Sequence, residues 1–211
     1  MFWNILTASA FLLTCGIHLF FAYKELETHR RYTKLLLMPL LMAFVISLQQ
    51  GRWTILLIAL AFGFFGDILL IYKHNKVMFL LGELCFFLGH IVYVILFFLE
   101  INFANPLLAI LLTIGIAMIL QFILHRIFKP YYKSLTIPNN IYSTILLVSL
   151  GYTVLVPIYQ GIYPAILLPI GAICFIISDS LIAYNLFYKT VKRHDFYIMI
   201  FYLIAQTLLV L

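Results

Sequence analysis

The chain has 211 residues, of which 65% are hydrophobic and only 9% charged, and its formal net charge is +6. A soluble domain carries roughly 25% charged residues, so this chain cannot cover a water-facing surface and reads as a multi-pass integral membrane protein. The excess of Lys and Arg implies no nucleic acid: these residues flank apolar runs, where they set topology and can attract anionic lipid headgroups or a lipid phosphate.

Eight apolar stretches of spanning length follow one another. They predict helices at about Phe2–Tyr23, Leu35–Gln49, Trp53–Tyr72, Val77–Leu99, Leu107–His125, Ile141–Tyr159, Ala165–Tyr188 and Phe196–Leu211. The first resembles a signal peptide only superficially. It lacks a basic start, and Leu13-Thr14-Cys15-Gly16 is a poor lipoprotein cleavage box, so it reads as a retained span. The runs are too long for strands and do not alternate. The expected fold is therefore all-α, a transmembrane bundle of about eight helices in one domain over residues 1–211. Cys15, Cys85 and Cys174 lie inside apolar runs with no Cys-x-x-Cys pair, so they read as small core residues.

Lys and Arg give the expected orientation. All 13 except Arg52 fall in the loops after the first, third, fifth and seventh helices. The positive-inside rule places those loops in the cytoplasm and both termini outside it. The expected location is a bacterial inner membrane.

Function in such a chain is sought among ionisable residues at membrane depth, each of which costs at least a few kcal/mol there. Glu25, Glu27, Glu100 and Asp195 fall in loops or at span ends and read as solvated. Asp67, Glu83 and Asp179 remain, at roughly 9, 10 and 15 Å from the cytoplasmic ends of their helices at 1.5 Å per residue. His90, and with it His18, joins them. Glu83 and His90 are seven apart and share a face, as do Tyr202 and Gln206; Gly171, Ser178 and Asn185 line one face beside Asp179. These groups can converge into one polar pocket toward the cytoplasmic leaflet, or form buried pairs that only fix packing. No Gly-x-Ser-x-Gly elbow, His-Glu-x-x-His motif or Gly-rich phosphate loop is present. Zinc held by His90, Glu83 and Asp67 lacks a specific spacing, so no metal and no cofactor is expected. Gly63 and Gly66 read as close-packing positions.

Four segments then form a pattern: Gly66-Asp67-Ile68-Leu69-Leu70, Gly82 through Gly89-His90-Ile91-Val92-Tyr93, Phe175-Ile176-Ile177-Ser178-Asp179-Ser180, and Tyr202-Leu203-Ile204-Ala205-Gln206. In order and placement this resembles the YhhN-like lysoplasmalogenase family of eight-span membrane hydrolases. Tyr32-Thr33-Lys34 resembles the family's segment before helix 2, although Leu35 stands where a Pro often follows. The resemblance implies hydrolysis of the vinyl ether bond of a lysoplasmalogen, a lysophospholipid held in the bilayer. The products are a fatty aldehyde and glycerophosphoethanolamine or glycerophosphocholine. Protonating the β-carbon of a vinyl ether makes an oxocarbenium ion, so the reaction calls for one carboxylic acid and one carboxylate, the division of labour that glycosidases use. Asp67 and Asp179 are the expected pair. Lys34, Glu83, His90, Tyr93, Ser178, Asn185, Tyr202 and Gln206 are expected to orient them or to bind the glycerol and phosphate. The competing reading is a transporter or lipid scramblase whose buried carboxyls couple to protons or ions, with Pro157, Pro164 and Pro169 as possible helix breaks.

Overall fold

The computed structural model describes residues 2–48, 53–100, 106–132, 135–160 and 166–211. Gln49, Arg52, Lys133 and Pro164 lie outside them, as do the side chains of Glu100, Lys129 and Pro157. Among the described residues the structure is all-helical, with α1 Phe2–Tyr23, α2 Glu27–Ser47, α3 Trp53–Leu70, α4 Lys76–Glu100, α5 Pro106–Tyr132, α6 Thr136–Gln160, α7 Leu167–Phe187 and α8 His194–Val210. Five of these, α1 and α4 to α7, are long and apolar enough to cross a membrane; α3 and α8 contribute shorter apolar helices. An unbroken helix satisfies its own backbone, which a lipid surround requires.

Neighbouring helices pack in the order α1, α2, α3, α4, α6, α7, α8, and α8 returns to α1. Seven helices thus close a ring, while α5 leans on α6 from outside. The outward face of α5 shows why: Leu107, Leu108, Leu111, Leu112, Ile116, Met118, Ile119 and Phe122 are all exposed, which suits lipid and not water. The ring interior holds the core, with Leu37, Met38, Leu41, Leu60, Phe97, Phe175 and Leu209 almost wholly buried.

α5 runs on to Tyr132, past the expected His125, and α6 begins at Thr136, before the expected Ile141, but the largest departure from the sequence expectation is in α2. α2 begins at Glu27, eight residues before Leu35. Hydropathy cannot see this segment because Thr28–Lys34 is polar. It is helical because Glu27 accepts from Arg30 at 3.0 Å and from Arg31 at 3.4 Å, three and four residues on. Lys34 therefore stands on a helix, buried, rather than in a loop.

The four acidic residues read as solvated also need correction at one position. Asp195, in the first turn of α8, bonds Lys73 at 2.7 Å and Arg30 at 3.1 Å, and only about a fifth of its side chain is exposed. It clasps the start of α8 to α2 and to the turn after α3. Beside it, Glu25 and Arg193 both have positive φ, and the Arg193 N–H donates to Glu25 Oε1 at 3.1 Å. The Arg193 guanidinium lies 3.9 Å from the centre of the Tyr23 ring. The clasp joins α2, the turn after α3 and the start of α8, which lie far apart in the chain, so spacing did not reveal it.

Candidate active site

Two polar clusters occupy the ring interior, separated by an aromatic wall. The first is sealed. Asp67 on α3 is 2% exposed; its Oδ1 is 3.1 Å from Lys34 Nζ, and its Oδ2 accepts from the Tyr202 hydroxyl at 2.8 Å. Gln206 Nε2 donates to Tyr202 Oη at 3.4 Å, and the Tyr93 hydroxyl donates to Gln206 Oε1 at 3.1 Å. Tyr202 and Gln206 reach across because they share a face of α8 and because α3 presents Gly63 to them. A Cβ there would sit 3.4 Å from Gln206 Nε2 and 3.6 Å from Tyr202 Oη. Five side chains from α2, α3, α4 and α8 thus form one chain of bonds ending on an ion pair.

The second cluster is open. A cavity of about 100 Å³, room for more than a single water, lies among α4, α5, α6 and α7 at the end where α3 finishes and α4 begins. Asp179 and Glu83 both line it, and both are half-buried. The Tyr142 hydroxyl donates to Asp179 Oδ2. Asn139, with its amide nitrogen turned toward Glu83, donates to Oε1 at 2.8 Å and Oε2 at 3.2 Å. Among the described residues no Lys or Arg forms an ion pair with either carboxyl. Leu70, Phe79, Phe86, Leu146 and Ile176 supply apolar wall.

Phe86 divides the two clusters. Its ring lines the cavity, meets Tyr202 edge-on at 6.0 Å and Phe175 at 5.9 Å, and packs over Gly66, where a Cβ would come within 2.7 Å of it. Asp67 does not line the cavity.

The remaining expected residues fall elsewhere. His90, on the face of α4 that Glu83 was expected to share, is 2% exposed; its Nδ1 meets Ser149 Oγ at 3.4 Å, its ring stands 4.4 Å from that of Phe175, and its Nε2 has no hydrogen-bond partner among the described residues. Ser178 donates to the Ile198 carbonyl at 3.2 Å and so pins α7 to α8. Asn185 Oδ1 accepts from the Val191 N–H at 3.2 Å, which shapes the α7–α8 turn. His18 Nδ1 meets Thr33 Oγ1 at 2.8 Å and joins α1 to α2. Among the described residues no three His, Cys, Asp or Glu side chains gather in a metal-binding group.

Sequence reasoning missed Tyr142, Asn139, Asn140, Ser143 and Gln121, all of which line the cavity. The signal was present: Asn139, Asn140, Tyr142 and Ser143 crowd the first turns of an otherwise apolar helix, and Gln121 interrupts α5.

The sequence model of the YhhN family matches residues 29–211. The chain belongs to the YhhN family. No curated protein and no solved structure matches it. The family match begins within α2 and runs to the last residue, so it covers every side chain of both polar clusters.

Proposed function

We propose that the chain is a lysoplasmalogenase, a hydrolase that cleaves the vinyl ether bond of a lysoplasmalogen from within the bilayer. Family membership and the resemblance of its motifs support the reaction class. The observation that carries the reading is the placement of two carboxyls, Asp179 and Glu83, on one partly apolar cavity.

The chemistry assigns the parts. Asp179, positioned by Tyr142, gives its proton to the β-carbon of the vinyl ether. The resulting oxocarbenium ion is met by the Glu83 carboxylate, which Asn139 holds in place through both oxygens. Water adds to the cation and loses a proton to Glu83. The hemiacetal then collapses: its hydroxyl returns a proton to Asp179 as the aldehyde carbonyl forms, and Glu83 gives its proton to the ether oxygen, which leaves as the hydroxyl of glycerophosphoethanolamine or glycerophosphocholine. One water is consumed and no electrons change hands. Asp67, held by Lys34 and Tyr202 behind Phe86, braces the wall beside which that cation forms. The positioned Glu83 carboxylate is preorganised charge, commonly the largest single contribution to catalysis.

Purified protein incubated in detergent with a lysoplasmalogen tests the reading. Release of one fatty aldehyde per glycerophospho-base is expected. Intact substrate after prolonged incubation with folded protein would refute it, and proton or ion flux through liposomes in its place would favour transport.

A further inference from the structure

The α5–α6 edge of the cavity carries a polar network that the hydrolysis step does not use. Gln121 and His125 are four residues apart on one face of α5, and Asn140 and Ser143 are three apart on α6. Ser143 Oγ donates to Gln121 Oε1 at 2.7 Å, Gln121 Nε2 donates to Asn140 Oδ1 at 3.2 Å, and Asn140 Nδ2 stands 2.6 Å from His125 Nδ1. An amide nitrogen only donates, so His125 Nδ1 accepts and the neutral ring carries its hydrogen on Nε2.

The direction of these bonds decides what the edge can receive. The acceptor atoms of Gln121, Asn140 and His125 are each engaged inside the network. Each amide retains a second N–H, and His125 presents Nε2–H. The edge is therefore rich in donors and short of acceptors, and Gln121, Asn140 and Ser143 bring it to the cavity wall. The same cavity also holds the Asp179 acid and the Glu83 carboxylate, and the latter repels an anion. The two halves are joined at adjacent residues of α6, where Asn139 bonds Glu83 and Asn140 belongs to the network.

We infer that the Gln121–His125–Asn140–Ser143 network binds the phosphate ester of a single-chain glycerophospholipid. The anion sits on the donor edge, the glycerol bridges to the carboxyls, and the chain lies along the apolar wall. The inference deepens the lysoplasmalogenase reading, because it supplies the polar anchor that would hold the ether linkage beside Asp179. Donors without a formal positive charge suit a phosphate diester that must leave after each turnover.

Binding of two uncleavable lipids tests it: hexadecyl lysophosphoethanolamine and hexadecylglycerol, each titrated calorimetrically into the full-length protein in detergent. The wild type is expected to bind the phospholipid at least about tenfold more tightly, the scale of hydrogen bonds to a charged group. Asn140→Asp should remove that preference by turning the donor edge acidic, and Gln121→Glu repeats the trial on α5 should the first variant fail to fold. Glycerophosphoethanolamine should displace the bound phospholipid and inorganic phosphate should not. Equal affinity of the wild type for both lipids would overturn the inference. So would a full preference retained in a folded acidic variant, or displacement by inorganic phosphate as effective as by glycerophosphoethanolamine. Neither lipid contains a vinyl ether. A phosphate preference without any hydrolysis would therefore refute the hydrolase alone, and hydrolysis without the preference would refute the anchor alone.

Discussion

Asp67 and Asp179 look alike in the sequence, each following Gly or Ser inside an apolar helix, and the structure gives them different surroundings. Asp67 is sealed with a cation; Asp179 faces a cavity with a tyrosine. Asp179→Asn removes the proton donor and should lower turnover by about 10²–10⁴-fold, the usual worth of positioned proton transfer, while the protein still folds. Aldehyde release per folded molecule measures it, and near-normal turnover would remove Asp179 from the mechanism. Lys34→Met leaves the Asp67 carboxylate buried without its cation and should cost on the order of 3–5 kcal/mol of stability. The double variant Lys34→Met with Asp67→Leu should recover most of that loss in thermal unfolding. A Lys34→Met protein as stable as the wild type would show that the pair holds nothing. The importance of these side chains was legible in the sequence because charge is rare at membrane depth. Their division into sealed and open was not, since it depends on where Lys34 lands once α2 starts at Glu27.

Among the elements, α2, α3 and α8 carry the sequence signals that tertiary contacts alone explain. Gly66 reads as a close-packing position, and the structure names what packs there: the Phe86 ring that separates the ion pair from the cavity. Gly66→Ala must push that ring and should destabilise the protein by about 1–3 kcal/mol. It should also lower turnover, because Phe86 forms cavity wall; unchanged stability and turnover would mean the ring has room to yield. The start of α8 depends on Asp195. Asp195→Asn leaves Lys73 and Arg30 without their shared anion and should lower stability by about 1–2 kcal/mol, with turnover per folded molecule unchanged. Helix positions were legible from apolar runs, except for polar end turns such as the start of α2. The α5–α6 polar edge was not, because Gln121, Asn139, Asn140, Tyr142 and Ser143 are uncharged and cost too little in a span to stand out singly.

For the whole molecule, seven helices close a ring, and α5, leaning on α6 from outside, completes a cavity with α4, α6 and α7 at the end where the basic loops gather. From the split of basic residues between alternate loops we propose that this end faces the cytoplasm. A fluorescent protein fused after Leu211 that is active only in the cytoplasm should therefore stay dark; a bright fusion would invert the orientation. The number of helices followed from the apolar runs, but the closing of the ring by α8 on α1 rests on contacts nearly the full chain apart. The central claim is that a cavity carboxyl protonates carbon in a vinyl ether. Hydrolysis of a lysoplasmalogen in heavy water, with the aldehyde trapped at once by reduction and weighed by mass spectrometry, tests it most directly. The wild type should give aldehyde bearing one deuterium on the carbon next to the carbonyl, and Asp179→Asn should give at most about a hundredth as much in the same time. Aldehyde without that deuterium, or undiminished release by Asp179→Asn, would contradict the mechanism.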